Sequence, residues 1–275
     1  MAVNRQTSGN PVVPVDVVAK LKTLRHPVVV AHVVPDSDAL GSMFGLATAW
    51  SMAGAKIKVS LPEGSLSQRL LFLHQMAGLS VATSQDFQTA DGFVALDTAK
   101  KGRCNVGSAL KDTDWSAGRP LINIDHHATN TRFGDLNWVV ETAGSACELV
   151  YYLLRALDWP ITPTTASLLY AGIQTDTLGF SLPTTNAAAL RACADLVEFG
   201  AEVGDLGERL CRSQTQSEFE LLRVVYDNTK VLADGRLAFS TASYDEIHHA
   251  GCTAADIDEQ INVPRSLRGV QLAML

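Results

Sequence analysis

Short, continuous apolar runs recur through the first two thirds of the chain, and each ends on an acidic or histidine-bearing segment. They are Pro27-Val28-Val29-Val30-Ala31, Gly92-Phe93-Val94-Ala95-Leu96, Pro120-Leu121-Ile122-Asn123-Ile124 and, more loosely, Leu168-Leu169-Tyr170-Ala171-Gly172-Ile173. Runs of this length predict strands buried on both faces, as in a parallel sheet. Helix-like patterns lie between and after them: Ala39 to Met52, ended by Gly54, and Ala143 to Leu157, closed by Asp158-Trp159-Pro160. The alternation predicts an α/β domain over residues 1–185, a parallel sheet wrapped by helices.

A helical stretch from Asn186 to Gly200 ends at a glycine suited to a helix C-terminus, and 186–204 reads as a helical linker. A second helical pattern runs from Asp205 to Leu232, then Asp234-Gly235 turns into a strand over Arg236–Ser240. The last residues, Gly269 to Leu275, alternate like a strand that lacks partners. Residues 205–275 therefore read as a smaller α/β domain that is incomplete.

Composition narrows the class. A chain of 275 residues with 47% hydrophobic content can bury a substantial core. Its net charge of −7 argues against stable duplex nucleic-acid binding, which rests on neutralising phosphates with Lys and Arg. The 5 cysteines are odd in number and form no C-x-x-C pair, which disfavours a disulfide framework and a zinc knuckle. The polar Met1 to Asn10 is not of signal-peptide type, and no run reaches the ~18 apolar residues of a membrane span, so a cytoplasmic protein is expected.

The chemistry gathers at the ends of the runs: His32-x-x-x-Asp36-x-Asp38, Asp97, Asp125-His126-His127 and Asp176. In open α/β sheets ligands collect outside the carboxyl ends of the strands, so these segments can converge. Taken singly, Pro35-Asp36-Ser37-Asp38 also suits a turn and helix cap, and Asp97 or Asp176 a loop aspartate bonding its own backbone. Together, four aspartates converging without cations would repel one another at a cost of several kcal/mol. Two divalent ions balance them, and the imidazole and carboxylate set suits Mn²⁺ or a similar ion. His248-His249 follows no apolar run and is expected on the surface.

With these motifs in order, the chain resembles the DHH phosphoesterase family, named for the motif present here as Ile124-Asp125-His126-His127. The match runs over roughly residues 26–185, with Ser37 where the family usually has glycine. Phe133-Gly134-Asp135-Leu136-Asn137 and Ala171 to Phe180 are most similar to the oligoribonuclease (nanoRNase) and pAp-phosphatase branch, which carries a second, DHHA1-type domain. The resemblance implies that His32 and Asp36 hold one metal, that Asp38, His126 and Asp176 hold the other, and that Asp97 bridges both. A bridging water activated between the two ions would attack phosphorus. His127 would contact the phosphate or protonate the leaving oxygen, with Asp125 orienting a histidine. Arg132 and Ser42 are candidate substrate contacts.

The implied activity is hydrolysis of short oligonucleotides or adenosine 3′,5′-bisphosphate with two Mn²⁺ ions, Mg²⁺ or Co²⁺ being the alternatives, and a homodimer is compatible with it. Three other readings stay open. They are a manganese-dependent inorganic pyrophosphatase, disfavoured by the lack of an Arg and Lys cluster after the fourth motif, a cyclic dinucleotide phosphodiesterase, and a catalytically silent nucleotide-binding protein.

Overall fold

Five parallel strands make the sheet in the order β2-β1-β3-β4-β5 in the computed structural model, which describes residues 9–62, 66, 69–212, 214–253 and 256–275. They are β1 (Pro27–Val30), β2 (Lys58–Val59), β3 (Gly92–Leu96), β4 (Leu121–Asp125) and β5 (Leu136–Val139). Every residue of β1, β3 and β4 is buried, which is why they read as unbroken apolar runs. Successive side chains feed two cores. Val29, Val94, Leu96, Ile122 and Ile124 join the larger one, while Val28, Val30, Phe93, Ala95 and Leu121 join a smaller one with Phe87 and Trp115.

Helices flank this sheet: α1 (Val15–Thr23), α2 (Ser37–Met52), α3 (Leu71–Ala77), α4 (Ser84–Thr89), α5 (Ala146–Leu157), α6 (Pro163–Asp176), α7 (Ala187–Glu198) and α8 (Val203–Cys211). The run Leu168–Ile173, expected as a strand, lies instead within α6. Thr162 caps that helix by accepting the Thr165 N–H, and Pro163 opens it, so the start signal sits upstream of the apolar run. All residues from Thr165 to Ile173 are buried. A helix buried all round shows no 3.6-residue period, and a short piece of it is indistinguishable from a buried strand.

Helices α2 and α6 approach closely because glycines line their contact. A Cβ on Gly41 would lie 2.5 Å from the Leu168 carbonyl, and one on Gly45 2.5 Å from the Leu169 side chain. A Cβ on Gly172 would lie 2.2 Å from Cys147 Sγ and 2.9 Å from Asp38 Oδ1. These three absences of a side chain bring the start of α2, the end of α6 and the start of α5 together.

The chain divides into compact units over residues 1–210 and 211–275. Within the first, Ala189, Ala192, Cys193 and Leu196 of the stretch expected as a linker pack in the larger core. The helical pattern expected over 205–232 is α8 and a separate α9 (Gln216–Asp227), its last residues forming β6 (Lys230–Leu232). The break coincides with Thr215, which starts α9 through a capping box with Glu218. The second unit continues with β7 (Leu237–Phe239), α10 (Tyr244–His249), α11 (Asn262–Arg265) and β8 (Leu272–Met274). Strand β8, which alternates in the sequence with no visible partner, pairs in parallel with β7, Leu237 opposite Leu272. His248 and His249 are exposed on α10. Among the described residues no helix is long and apolar enough to cross a membrane.

Candidate functional site

The end of β1 and the turn into α2 supply the first three side chains. Asp36 is the N-cap of α2, its Oδ1 accepting the Asp38 and Ala39 N–H groups at 3.0 Å each. The same oxygen lies 3.9 Å from His32 Nε2, so capping and site membership coexist in one residue. Asp38, 1% exposed, turns inward instead. Its Oδ2 accepts the Ala146 N–H at 2.7 Å and its Oδ1 the Cys147 N–H at 2.9 Å. These are the opening amides of α5, whose unpaired donors and dipole favour an anion.

Asp97 follows β3 with φ +50°, an uncommon value outside glycine that marks a position held by its surroundings. It is 2% exposed and divides its two oxygens among three histidines. Oδ2 lies 3.5 Å from His32 Nε2, and Oδ1 lies 3.4 Å from His126 Nε2 and 3.6 Å from His127 Nδ1. His126 Nε2 also faces Asp38 Oδ2 at 3.7 Å and Asp176 Oδ2 at 3.4 Å. Asp176 arrives from the last residue of α6, not from the end of a strand.

Among the described residues the potential ligand atoms fall into three overlapping groups of metal-binding dimensions: His32, Asp36 and Asp97; Asp38, His126 and Asp176; and Asp97 with Asp125, His126 and His127. Their donors are imidazole nitrogen and carboxylate oxygen throughout, the set that suits a divalent ion. Among the described residues Asp97 Oδ1 is buried with no hydrogen-bond partner, as expected of an oxygen whose partner is a cation. His126 Nδ1 lies 3.4 Å from the Ala143 carbonyl, which leaves Nε2 as the nitrogen that faces the acids.

The electrostatics carry the same imbalance. Burial, with the charges of Asp97 and Asp176, holds the Asp38 carboxyl well above the usual range. Burial pushes Asp176 up to about 6 against the opposing pull of His126, with Asp97 and Asp36 adding to the rise. Burial also works against the charge on His126, yet the close approach of the Asp97 carboxylate and the charges of Asp38 and Asp176 raise it to about 10. For Asp97 burial is likewise outweighed, and the neighbouring His126 and His32 keep its carboxyl below the ordinary value. Negative charge is in surplus, and a bound cation would relieve it.

Asp125 and His127 form a separate pair. Asp125 is fully buried, and its Oδ1 meets His127 Nδ1 at 2.7 Å while accepting the His126 N–H at 2.9 Å. This carboxylate raises the His127 pKa. The His127 side chain is 45% exposed, so its other ring nitrogen can reach a substrate. An amide pair unforeseen in the sequence completes the arrangement. Asn130 Nδ2 donates to Asp125 Oδ2 at 2.5 Å and to Asn123 Oδ1 at 2.8 Å, and Asn123 in turn donates to the Ala95 and Thr98 carbonyls. The signal was available, since Asn123 is a polar side chain inside an apolar strand and such a group must find partners.

The remaining candidates fare differently. Arg132 is exposed on the loop after His127, its N–H bonded to Asn130 Oδ1. Ser42 is fully buried and donates to the Ala39 carbonyl of its own helix, so it packs rather than meeting a substrate. Lys101 is paired with Asp114 at 2.7 Å.

Comparison with known proteins follows the same segments. The DHH family, N-terminal domain, matches residues 27–173. The bifunctional oligoribonuclease and PAP phosphatase NrnA of Bacillus subtilis (strain 168) is 27% identical over 248 residues, 87% of this chain and 74% of that protein. The protein of the same name from Thermus thermophilus is 32% identical over 191 residues, 69% of this chain but only 55% of its own length. Among solved structures, an exopolyphosphatase-related protein from Bacteroides fragilis superposes with a TM-score of 0.82 at 23% identity, over 93% of this chain and 77% of that one, a likeness of fold.

Proposed function

The chain belongs to the DHH family and is a phosphoesterase, and from that premise we propose that it hydrolyses short oligonucleotides and adenosine 3′,5′-bisphosphate with two divalent ions, Mn²⁺ above all. The observation that carries this reading is the single buried carboxylate of Asp97, which offers one oxygen to each of two histidine and aspartate groups. His32 and Asp36 would hold one ion, Asp38, His126 and Asp176 the other, with Asp97 common to both. When bound, such ions offset the carboxylate charge, lower the pKa of water and stabilise charge on phosphoryl oxygens.

The chain's own residues supply the rest. His127, protonated to higher pH by its bond to Asp125, is the proton donor to the leaving oxygen. Asp125 fixes the ring through Nδ1, and Asn130 fixes Asp125, so the donating nitrogen is oriented before substrate arrives. The amides that open α5 hold Asp38 with both oxygens engaged, which limits how far the second group can spread. We assign residues 205–275 to a DHHA1-like substrate-binding region, with 186–204 as a helical linker.

The test is release of mononucleotide or phosphate by metal-stripped protein, with and without Mn²⁺, from pApA, adenosine 3′,5′-bisphosphate and pyrophosphate. Mn²⁺-dependent cleavage of the two nucleotides is the expected result. Cleavage of pyrophosphate alone would transfer the assignment to an inorganic pyrophosphatase.

A further inference from the structure

Glu148 is a fully buried carboxylate that the proposed reaction does not use. It is the third residue of α5, where a capping box would turn its side chain back to the N–H of the cap residue, Ser145. Its Oε2 passes that amide by and accepts the Gly144 N–H at 2.7 Å, together with Asn186 Nδ2 at 3.3 Å. The same Asn186 nitrogen donates to the Thr142 carbonyl at 2.8 Å, and Asn186 Oδ1 caps α7 through the Ala189 N–H. A buried carboxylate and a carboxamide therefore pin the backbone on either side of Ala143.

That backbone is the one that serves the second ligand group. Ala143 presents its carbonyl to His126 Nδ1, and three residues later the Ala146 and Cys147 amides hold Asp38. We propose that Glu148, clamped by Asn186, is a positioning residue that fixes the 142–147 segment and thereby presets His126 and Asp38 as a pair, without touching substrate or either ligand. Among the described residues the clamp's side-chain hydrogen bonds go to Gly144, Thr142 and Ala189 and not to His32 or Asp36, so the two groups should respond differently to its removal.

The inference rests on the reading of Asp38, His126 and Asp176 as metal ligands, and one experiment separates the two. Mn²⁺ binding to the full chain is followed by calorimetry and by electron paramagnetic resonance for the wild type, Glu148→Ala, Glu148→Gln and Asn186→Ser, with the Tm of each metal-free protein measured alongside. Asn186→Ser keeps a capping hydroxyl for α7 but is too short to hold Glu148 and Thr142. The wild type should take up two equivalents. Glu148→Ala and Asn186→Ser should each weaken one equivalent by about 10–100-fold and leave the other unchanged. Glu148→Gln, whose amide oxygen can still accept the Gly144 N–H, should recover most of the loss. Wild-type affinity for both ions in Glu148→Ala or Asn186→Ser, or an equal loss of both, would overturn the positioning role. A wild type that binds no Mn²⁺ would overturn the ligand assignment itself.

Discussion

Gly172→Ala probes the packing that joins α6 to the site. The new Cβ would stand 2.2 Å from Cys147 Sγ, 2.9 Å from Asp38 Oδ1 and 3.0 Å from Asp38 Cα, all inside the 3.4 Å at which ordinary contact begins. The sulfur has little room to retreat, because Cys147 is fully buried. Overpacking of this kind costs about 1–3 kcal/mol, while alanine gains about 1 kcal/mol over glycine inside a helix. The balance is a net loss of about 0–2 kcal/mol, read as a lower urea midpoint at unchanged slope in the metal-free protein. Adding Cys147→Ala removes the clashing sulfur and should return at least ~1 kcal/mol as a coupling between the two sites. Crowding of Asp38 should also weaken Mn²⁺ binding in the single variant and less so in the double. Stabilisation of Gly172→Ala by about 1 kcal/mol, with no coupling to Cys147→Ala, would refute the close-approach argument.

Asp97→Asn keeps the shape and tolerates the left-handed backbone but removes the shared charge, so both Mn²⁺ equivalents should weaken by at least ~10–100-fold, and two equivalents at wild-type affinity would sink the bridging role. His127→Ala should retain full metal stoichiometry while kcat falls by about 10²–10⁴, and lost metal would move His127 among the ligands. Asn130→Ala should lower kcat with KM and metal content unchanged, because it frees Asp125 without touching a ligand. A shift in metal affinity instead would contradict that division. In the metal-free protein Asp38 and Asp176 prefer the proton more in the folded than in the unfolded state, so their stabilising effect is present at low pH and lost as pH rises through Asp176's value of about 6. Asp97 shifts the other way but is already fully ionised there, and His126 loses its contribution only near 10. Since Mn²⁺ competes with those protons, the rise in Tm on adding it should grow from about pH 5 to about pH 7, and a pH-independent rise would refute the charge argument.

The sequence by itself determined the three central strands and the segments that follow them. A parallel strand buried on both faces is apolar for most of its length, and ligands collect at its carboxyl end, so His32, Asp97 and Asp125 stood out against apolar neighbours. The cap of α2 was legible for the same local reason, with Asp36 doing what an aspartate before a helix does. Strand β2 escaped because two residues carry no period, and α6 was misread because a helix buried on all sides has none either.

What only the tertiary structure decided is how these segments face one another. Asp38 ends among the amides of α5 because glycines at 41 and 172 let three elements converge, and a glycine's fit against a distant carbonyl or sulfur leaves no mark in a single sequence. The division of Asp97 among three histidines from two separate segments accompanies a left-handed backbone angle that no local pattern announces. Ser42 and Asp38 lie one helical turn apart and are both buried, yet Ser42 donates to the Ala39 carbonyl of its own helix while Asp38 faces His126. Local propensity names the residues that can do chemistry. Packing over long sequence separations selects which of them meet.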